Sequence, residues 1–204
     1  MSAPPQVVVF DLGKVLVDFD YGIAVRKIAA RSRKFPAEVG ALLLESSLLL
    51  RYETGQIDRS RFYAELCQGT GFEGTLEEFG LFFADIFTPI EPMIAVHGAL
   101  RGQRTPTFIL SNTNDLAIEH IRRSFPFFGN FEGYVFSYEH GAMKPDAKLY
   151  QRIEEMAGAS REKILFLDDR LENVAAAQAR GWHGIHHRDP QQTSVLLREF
   201  GLLR

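Results

Sequence analysis

A chain of 204 residues, 46% hydrophobic and 24% charged, is long enough for one sizeable core or a core with a small insert. Its net charge of -3 removes any global electrostatic basis for binding nucleic acid or an acidic membrane surface. The single cysteine, Cys67, excludes an intramolecular disulfide framework and suits a reducing compartment, with a buried, unreactive thiol as its expected state.

The segment from Met1 to Gln6 lacks the charged and apolar regions of a signal peptide. The leucines at 42–44 and 48–50 are interrupted by Glu45, Ser46 and Ser47 and are too few to span a bilayer. A soluble, cytoplasmic protein is expected.

Val7 to Phe10 is a continuous apolar run rich in β-branched residues, as in a strand buried on both faces of a parallel sheet. It ends at Asp11-Leu12-Gly13. From about Tyr21 to Ile90 the pattern is helical. Ile23, Ile28 and Ala29 begin one helix, the leucine cluster belongs to another, and Asp58 caps a third running through Phe62 and Leu66. Phe79, Phe82, Phe83, Ile86 and Phe87 recur at i, i+3, i+4, i+7 and i+8, an apolar helix stripe expected to pack in a core.

Beyond Pro92 strands and helices alternate. Strands are expected at 107–110, 133–137, 163–167 and 182–186. Helices are expected at 116–123, 147–157 and 171–180, the last closed by Gly181, with a terminal helix through Leu196, Leu197 and Phe200. The alternation predicts an α/β fold with a doubly wound parallel sheet, and the helical stretch before it reads as an inserted cap.

Open sheets of this kind bind ligands beyond the carboxyl ends of their strands. Asp11 follows the first strand. Ser111, Asn112 and Thr113 follow the second, with Asn114 and Asp115 opening a helix. Lys144-Pro145-Asp146 comes after the third, and Asp168-Asp169 after the fourth. Carboxylates without histidine or cysteine suit a hard cation such as magnesium. A lysine and a hydroxyl beside a helix N-terminus suit a phosphate. A carboxylate held there can attack phosphorus itself. Each group alone has a plainer reading: Asp11 as a turn cap, Ser111 to Thr113 as a helix cap, Lys144 as a surface lysine, Asp169 as the cap of the next helix. Capping does not explain complementary groups at four strand ends together.

Phe10-Asp11-Leu12-Gly13-Lys14-Val15-Leu16-Val17-Asp18 resembles the first motif of the haloacid dehalogenase (HAD) superfamily. Leu110-Ser111-Asn112 resembles its second, Lys144-Pro145-Asp146 its third, and Phe166-Leu167-Asp168-Asp169 with Asn173 its fourth. The detail is similar to glucose-1-phosphate phosphatase-like proteins and, more distantly, to the phosphatase domain of soluble epoxide hydrolases. The resemblance implies a Rossmann-like core of residues 1–17 and 91–204, with a helical cap at 18–90. It implies Asp11 as nucleophile, Ser111 and Asn112 on the phosphate, and Lys144 on both phosphate and nucleophile. It implies magnesium held by Asp11, the Gly13 carbonyl and Asp169, with Asp168 in support. The expected function is a magnesium-dependent phosphatase of a small phosphorylated metabolite such as a sugar phosphate, working as a monomer or homodimer.

One position departs from the pattern. Gly13 stands where most phosphatases of the superfamily carry the aspartate that donates a proton to the leaving group, a service typically worth ~10²–10⁴-fold. Asp18 and Asp20 lie just beyond it and are expected to orient the loop or contact substrate. Two alternatives stay open: a haloacid dehalogenase using the same Asp11, and a non-catalytic regulatory protein. Phe19, Tyr21, Tyr52 and Glu53 are candidate pocket residues. His183, His186 and His187 do not make a convincing zinc site, since alternation sends the first two to opposite faces. Arg31, Arg33 and Lys34 read as a solvated helix face.

Overall fold

The computed structural model describes residues 4–204. The apolar run Val7–Phe10 forms β1 at the centre of a five-stranded sheet. In chain order the other strands of that sheet are β4 (Thr107–Ser111), β5 (Gly133–Phe136), β6 (Ile164–Asp168) and β7 (His183–His186). The spatial order is β5-β4-β1-β6-β7, with every pairing parallel.

Period-two alternation divides the strand residues between two cores. Val8, Phe10, Ile109, Leu165 and Leu167 face one side. There they pack with Met93, Val96 and Leu100 of α6 (Glu91–Gly102), Ile118 and Ile121 of α7 (Asp115–Ser124), and Leu197 of α11 (Pro190–Glu199). Val7, Val9, Phe108, Leu110 and Phe166 face the other side. They meet Leu149, Tyr150 and Ile153 of α9 (Ala147–Ala157) and Ala177 of α10 (Leu171–Ala179). Apolar burial on both faces makes this a three-layer α/β core.

Between β1 and α6 the chain builds a third apolar cluster. Its helices are α1 (Tyr21–Ala29), α2 (Pro36–Gly40), α3 (Ser47–Glu53), α4 (Arg59–Thr70) and α5 (Leu76–Ala84), with a π-helical turn at Ala41–Glu45. Asp58 does cap α4, accepting from the Arg61 N–H. A stack of Tyr52, Phe62, Phe79 and Phe83 fills the interior. Leu116 of α7 joins this cluster, so it packs against the sheet domain. Tyr52 also hydrogen-bonds Asp115, and Arg59 pairs with Asp115 and Glu119.

Three features differ from the sequence expectation. Phe87 leaves the helical stripe: α5 ends at Ala84, and Phe87–Pro89 forms β3, antiparallel to β2 (Val17–Phe19). Helix α6 lay unread behind Pro92, which occupies its first turn, where proline is tolerated. Ser137 closes no strand; it opens the short helix α8 (Ser137–His140). No helix among the described residues is long and apolar enough to cross a membrane.

Candidate active site

Asp11 follows β1, Ser111 ends β4 and Asp168 ends β6, so hydrogen-bonded registry between adjacent strands brings all three to the same sheet edge. Lys144 arrives from the loop between α8 and α9. Its ammonium lies 2.8 Å from Asp11 Oδ1 and 2.7 Å from Asp168 Oδ2. Lys144 is 5% exposed, which rules out the surface-lysine reading. The Asp11 carboxylate also accepts the Leu12 N–H at 2.7 Å. Asp168 accepts the Arg170 N–H at 2.8 Å and both contacts of the Asn173 amide, at 3.0 and 3.1 Å. Asp169 caps nothing: the residue before α10 is Arg170, and it makes no side-chain cap.

Two buried carboxylates share one ammonium, and the charge count decides the electrostatics. Burial pushes the Asp11 carboxyl up to about 7; Lys144 opposes the shift and Asp168 adds to it. Burial alone would lower the Lys144 ammonium, but the two carboxylates outweigh it and hold it above its ordinary value. Asp169, half-buried, is raised by desolvation and then by Asp168. Carboxylate oxygens of Asp11, Asp168 and Asp169 all lie within 4.8 Å of one another. Asn173 Oδ1 is buried at the same place without a hydrogen-bond partner among the described residues. An all-oxygen donor set with excess negative charge fits a hard divalent cation. Among the described residues this is the one grouping with metal-ligand geometry, and no histidine takes part in it.

The second strand end contributes Ser111 and Asn112. The Asn112 side chain accepts the Lys144 N–H at 2.7 Å and donates to the Lys144 carbonyl at 3.2 Å. Its amide thus holds the lysine loop, while Asn112 also borders the cavity. Ser111 is buried, and its hydroxyl makes only a 3.4 Å contact to the neighbouring Asn112 carbonyl, which leaves it available to a ligand. Asn114 is the cap of α7, accepting from Ala117 N–H at 3.0 Å.

Asp11, Ser111, Asn112, Lys144 and Asp169 border a cavity of about 230 Å³. Its outer wall, built by the helical segment and the β2–β3 ribbon, includes Phe19, Tyr21, Leu49, Glu53 and Phe87. Larger hollows exist, including a groove of about 790 Å³ between α6 and α11, but that groove has no carboxylate–lysine cluster. Gly13 borders the cavity. Tyr52 does not: it is fully packed, with its hydroxyl on Asp115. Asp18 and Asp20 also stand outside. Asp18 holds Lys14 and the Phe19 N–H, and Asp20 caps α1 at Gly22 N–H and faces Arg26.

The remaining candidates have structural partners. His183 reaches the Glu162 carbonyl, His186 the Asp169 carbonyl and His187 the Thr193 hydroxyl. Arg31, Arg33 and Lys34 are exposed and paired with Glu78, Glu73 and Glu38. Cys67 is half-buried, less enclosed than expected, and burial raises its thiol, so it is not a nucleophile.

The model of the haloacid dehalogenase-like hydrolase family matches residues 5–181. The sesquiterpene phosphatase astK of Aspergillus oryzae is 26% identical over 197 residues, covering 95% of both chains. A predicted HAD-like family hydrolase from Porphyromonas gingivalis superposes with a TM-score of 0.79 at 25% identity, covering 95% of this chain and 98% of its own. A HAD family enzyme from Bacteroides thetaiotaomicron, solved with magnesium and inorganic phosphate, gives a TM-score of 0.75 at 21% identity, covering 90% of this chain and 94% of its own.

Proposed function

The chain belongs to the haloacid dehalogenase-like hydrolase family, and on that premise we propose that it is a magnesium-dependent phosphatase of a small, carbon-rich phosphate ester. The observation that carries this reading is the pair of contacts from Lys144 to Asp11 and Asp168, with Asp169 alongside. Asp11 attacks phosphorus, the bond from phosphorus to the leaving oxygen breaks, and an aspartyl-phosphate forms. Water then cleaves it to inorganic phosphate and restores the carboxylate. Lys144 orients Asp11 and meets the phosphoryl oxygens, and the Ser111 hydroxyl donates to them. Asp11, Asp169 and the Gly13 carbonyl would hold magnesium, with Asp168 in support. Bound magnesium would supply charge neutralisation between an anionic nucleophile and an anionic substrate.

Residues 18–90 act in this reading as a cap whose inner wall selects the ester. Phe19, Leu49, Phe87 and Ile121 present carbon to the cavity, which favours an apolar alcohol over the polyhydroxylated sugar expected from sequence. The relationship to a sesquiterpene phosphatase points the same way.

A panel of terpenyl, aryl and sugar monophosphates, assayed with and without magnesium, tests the reading. Phosphate release that requires magnesium, favours the apolar esters and disappears in Asp11→Asn is the expected result. Metal-independent halide release from a 2-haloacid, with no phosphatase activity, overturns it.

A further inference from the structure

Gly13 leaves the site without a proton donor next to the nucleophile, and the space there is already filled. A β-carbon at position 13 would meet the ring of Phe19 at 2.9 Å. An alkyl ester nevertheless requires a proton on its departing oxygen, because an alkoxide is a poor leaving group in water.

The titratable groups bordering the cavity are few. Asp11, Lys144 and Asp169 are engaged as above. The Lys14 ammonium is bound to Asp18 and, at 3.0 Å, to the Phe19 carbonyl, and the Arg170 guanidinium is paired with Glu172. The Tyr21 phenol is pushed well above its ordinary value by burial and by Glu53. Glu53 remains. It is the last residue of α3, on the wall of the cavity that also holds Asp11. Glu53 is half-buried, and its side chain borders the cavity. The Tyr21 hydroxyl lies 3.4 Å from its Oε1, and the Asn114 amide stands beside it.

We propose that Glu53 is the general acid and base of this site, supplied by the helical segment in place of a side chain at position 13. This rests on the phosphatase reading. In the first step the Glu53 carboxylic acid gives its proton to the leaving oxygen as the phosphorus–oxygen bond breaks and the Asp11–phosphorus bond forms. In the second the Glu53 carboxylate takes a proton from the water that attacks phosphorus, so both product alcohol and acid form are restored with no further reactant.

The electrostatics agree with that duty. Desolvation holds the Glu53 carboxyl up to about 7, against contacts from Tyr21 and Asn114 that pull it down. Among the described residues the nearby cations are each paired with another carboxylate. Arg51 of its own helix pairs with Glu65, Arg59 of α4 with Asp115 and Glu119, and Lys14 of the β1 loop with Asp18. Across the cavity, Lys144 is taken by Asp11 and Asp168, and Arg170 by Glu172. A carboxyl poised near neutrality can both donate and accept.

Glu53→Gln, compared with the wild type on two esters, provides the test. A primary alkyl phosphate needs protonation of its leaving group, whereas 4-nitrophenyl phosphate does not. The expected result is a fall in kcat/KM of about 10²–10⁴-fold on the alkyl ester. The first-turnover burst of nitrophenol should persist, followed by slow release of phosphate. The wild-type kcat/KM profile on the alkyl ester should decline above about pH 7, and the variant should lose that decline. An equal loss on both esters, with circular dichroism unchanged, makes Glu53 a binding or positioning residue and overturns the proposal. No loss on the alkyl ester overturns it as well. Wild-type inactivity on both esters is a different failure, since it removes the phosphatase reading before any variant is compared.

Discussion

The ring of Phe19 stands in the space that a side chain at position 13 needs, with its Cε1 atom 2.9 Å from where a β-carbon on Gly13 would lie. Phe19 is held there by pairing with Phe87 across the β2–β3 ribbon, by edge contact with Tyr21, and by the Lys14 ammonium 4.5 Å above its face. The glycine is thus matched to a neighbour, and restoring an aspartate is not a local change. Gly13→Asp alone is predicted to lower kcat/KM on an alkyl phosphate, because overpacking of this kind costs about 1–3 kcal/mol or displaces the ring into the cavity. Gly13→Asp with Phe19→Ala should recover part of that loss. A single Gly13→Asp enzyme faster than wild type would show that the ring is no barrier.

Lys144→Met should destabilise the fold as well as stop turnover. The change leaves Asp11 and Asp168 buried without their shared cation, and breaking a buried pair from one side typically costs about 3–5 kcal/mol. Urea unfolding in EDTA measures this. Adding Asp11→Asn to the variant removes one of the stranded charges and should restore part of the stability; no recovery would mean that methionine packing, rather than charge, causes the loss.

Magnesium should raise the melting temperature of the wild type. A ligand at 100 times its Kd stabilises the folded state by about 2.7 kcal/mol, which is worth about 2–4 °C per kcal/mol for a chain of this size. Asp169→Asn should shrink the shift, since it removes one of the three clustered carboxylates. An undiminished shift would place the ion elsewhere.

Glu53 also predicts a pH dependence of stability. Its folded value of about 7 lies above its ordinary 4.5, so the folded state binds more protons than the unfolded state between those values. Stability contributed by the neutral carboxyl is therefore complete below about pH 4.5 and lost as pH rises through about 7. Glu53→Gln keeps a neutral side chain at every pH. Relative to wild type it should gain stability across this window, by at most about 3 kcal/mol at its upper end. Chemical denaturation at both ends measures the difference. A gap that does not widen with pH would mean the carboxyl is not desolvated in the folded protein.

Much of the sheet domain could be read directly. Val7 to Phe10, Thr107 to Leu110 and Lys163 to Leu167 are short apolar runs bounded by polar residues, a local pattern that suits strands covered on both faces. Asp11, Ser111 and Asp168 then fall at strand ends by simple counting, and parallel pairing brings them to one edge. The three-residue strands β2 and β3 were too short to carry a period, and Phe87 matched a helical stripe by coincidence of spacing. Helix α6 was hidden by a proline that marks a helix start as readily as a break.

What the sequence by itself determined was the order of elements and the polar groups that gather at the strand ends. Both depend on periodicity and on residues fixed to strand ends by the backbone. Only the tertiary structure decided which partners those groups meet. The Asn112 amide holds the Lys144 backbone, Tyr52 is bound to Asp115, and Asp18 and Asp20 stay at the rim of their own loop. Phe19 closes the space over Gly13, and Glu53 reaches the cavity of Asp11 from a separate apolar cluster. The physical reason is that burial, and with it the desolvation that tunes a carboxyl, arises from packing between segments remote in the chain. No local pattern of residue types records which of them will meet.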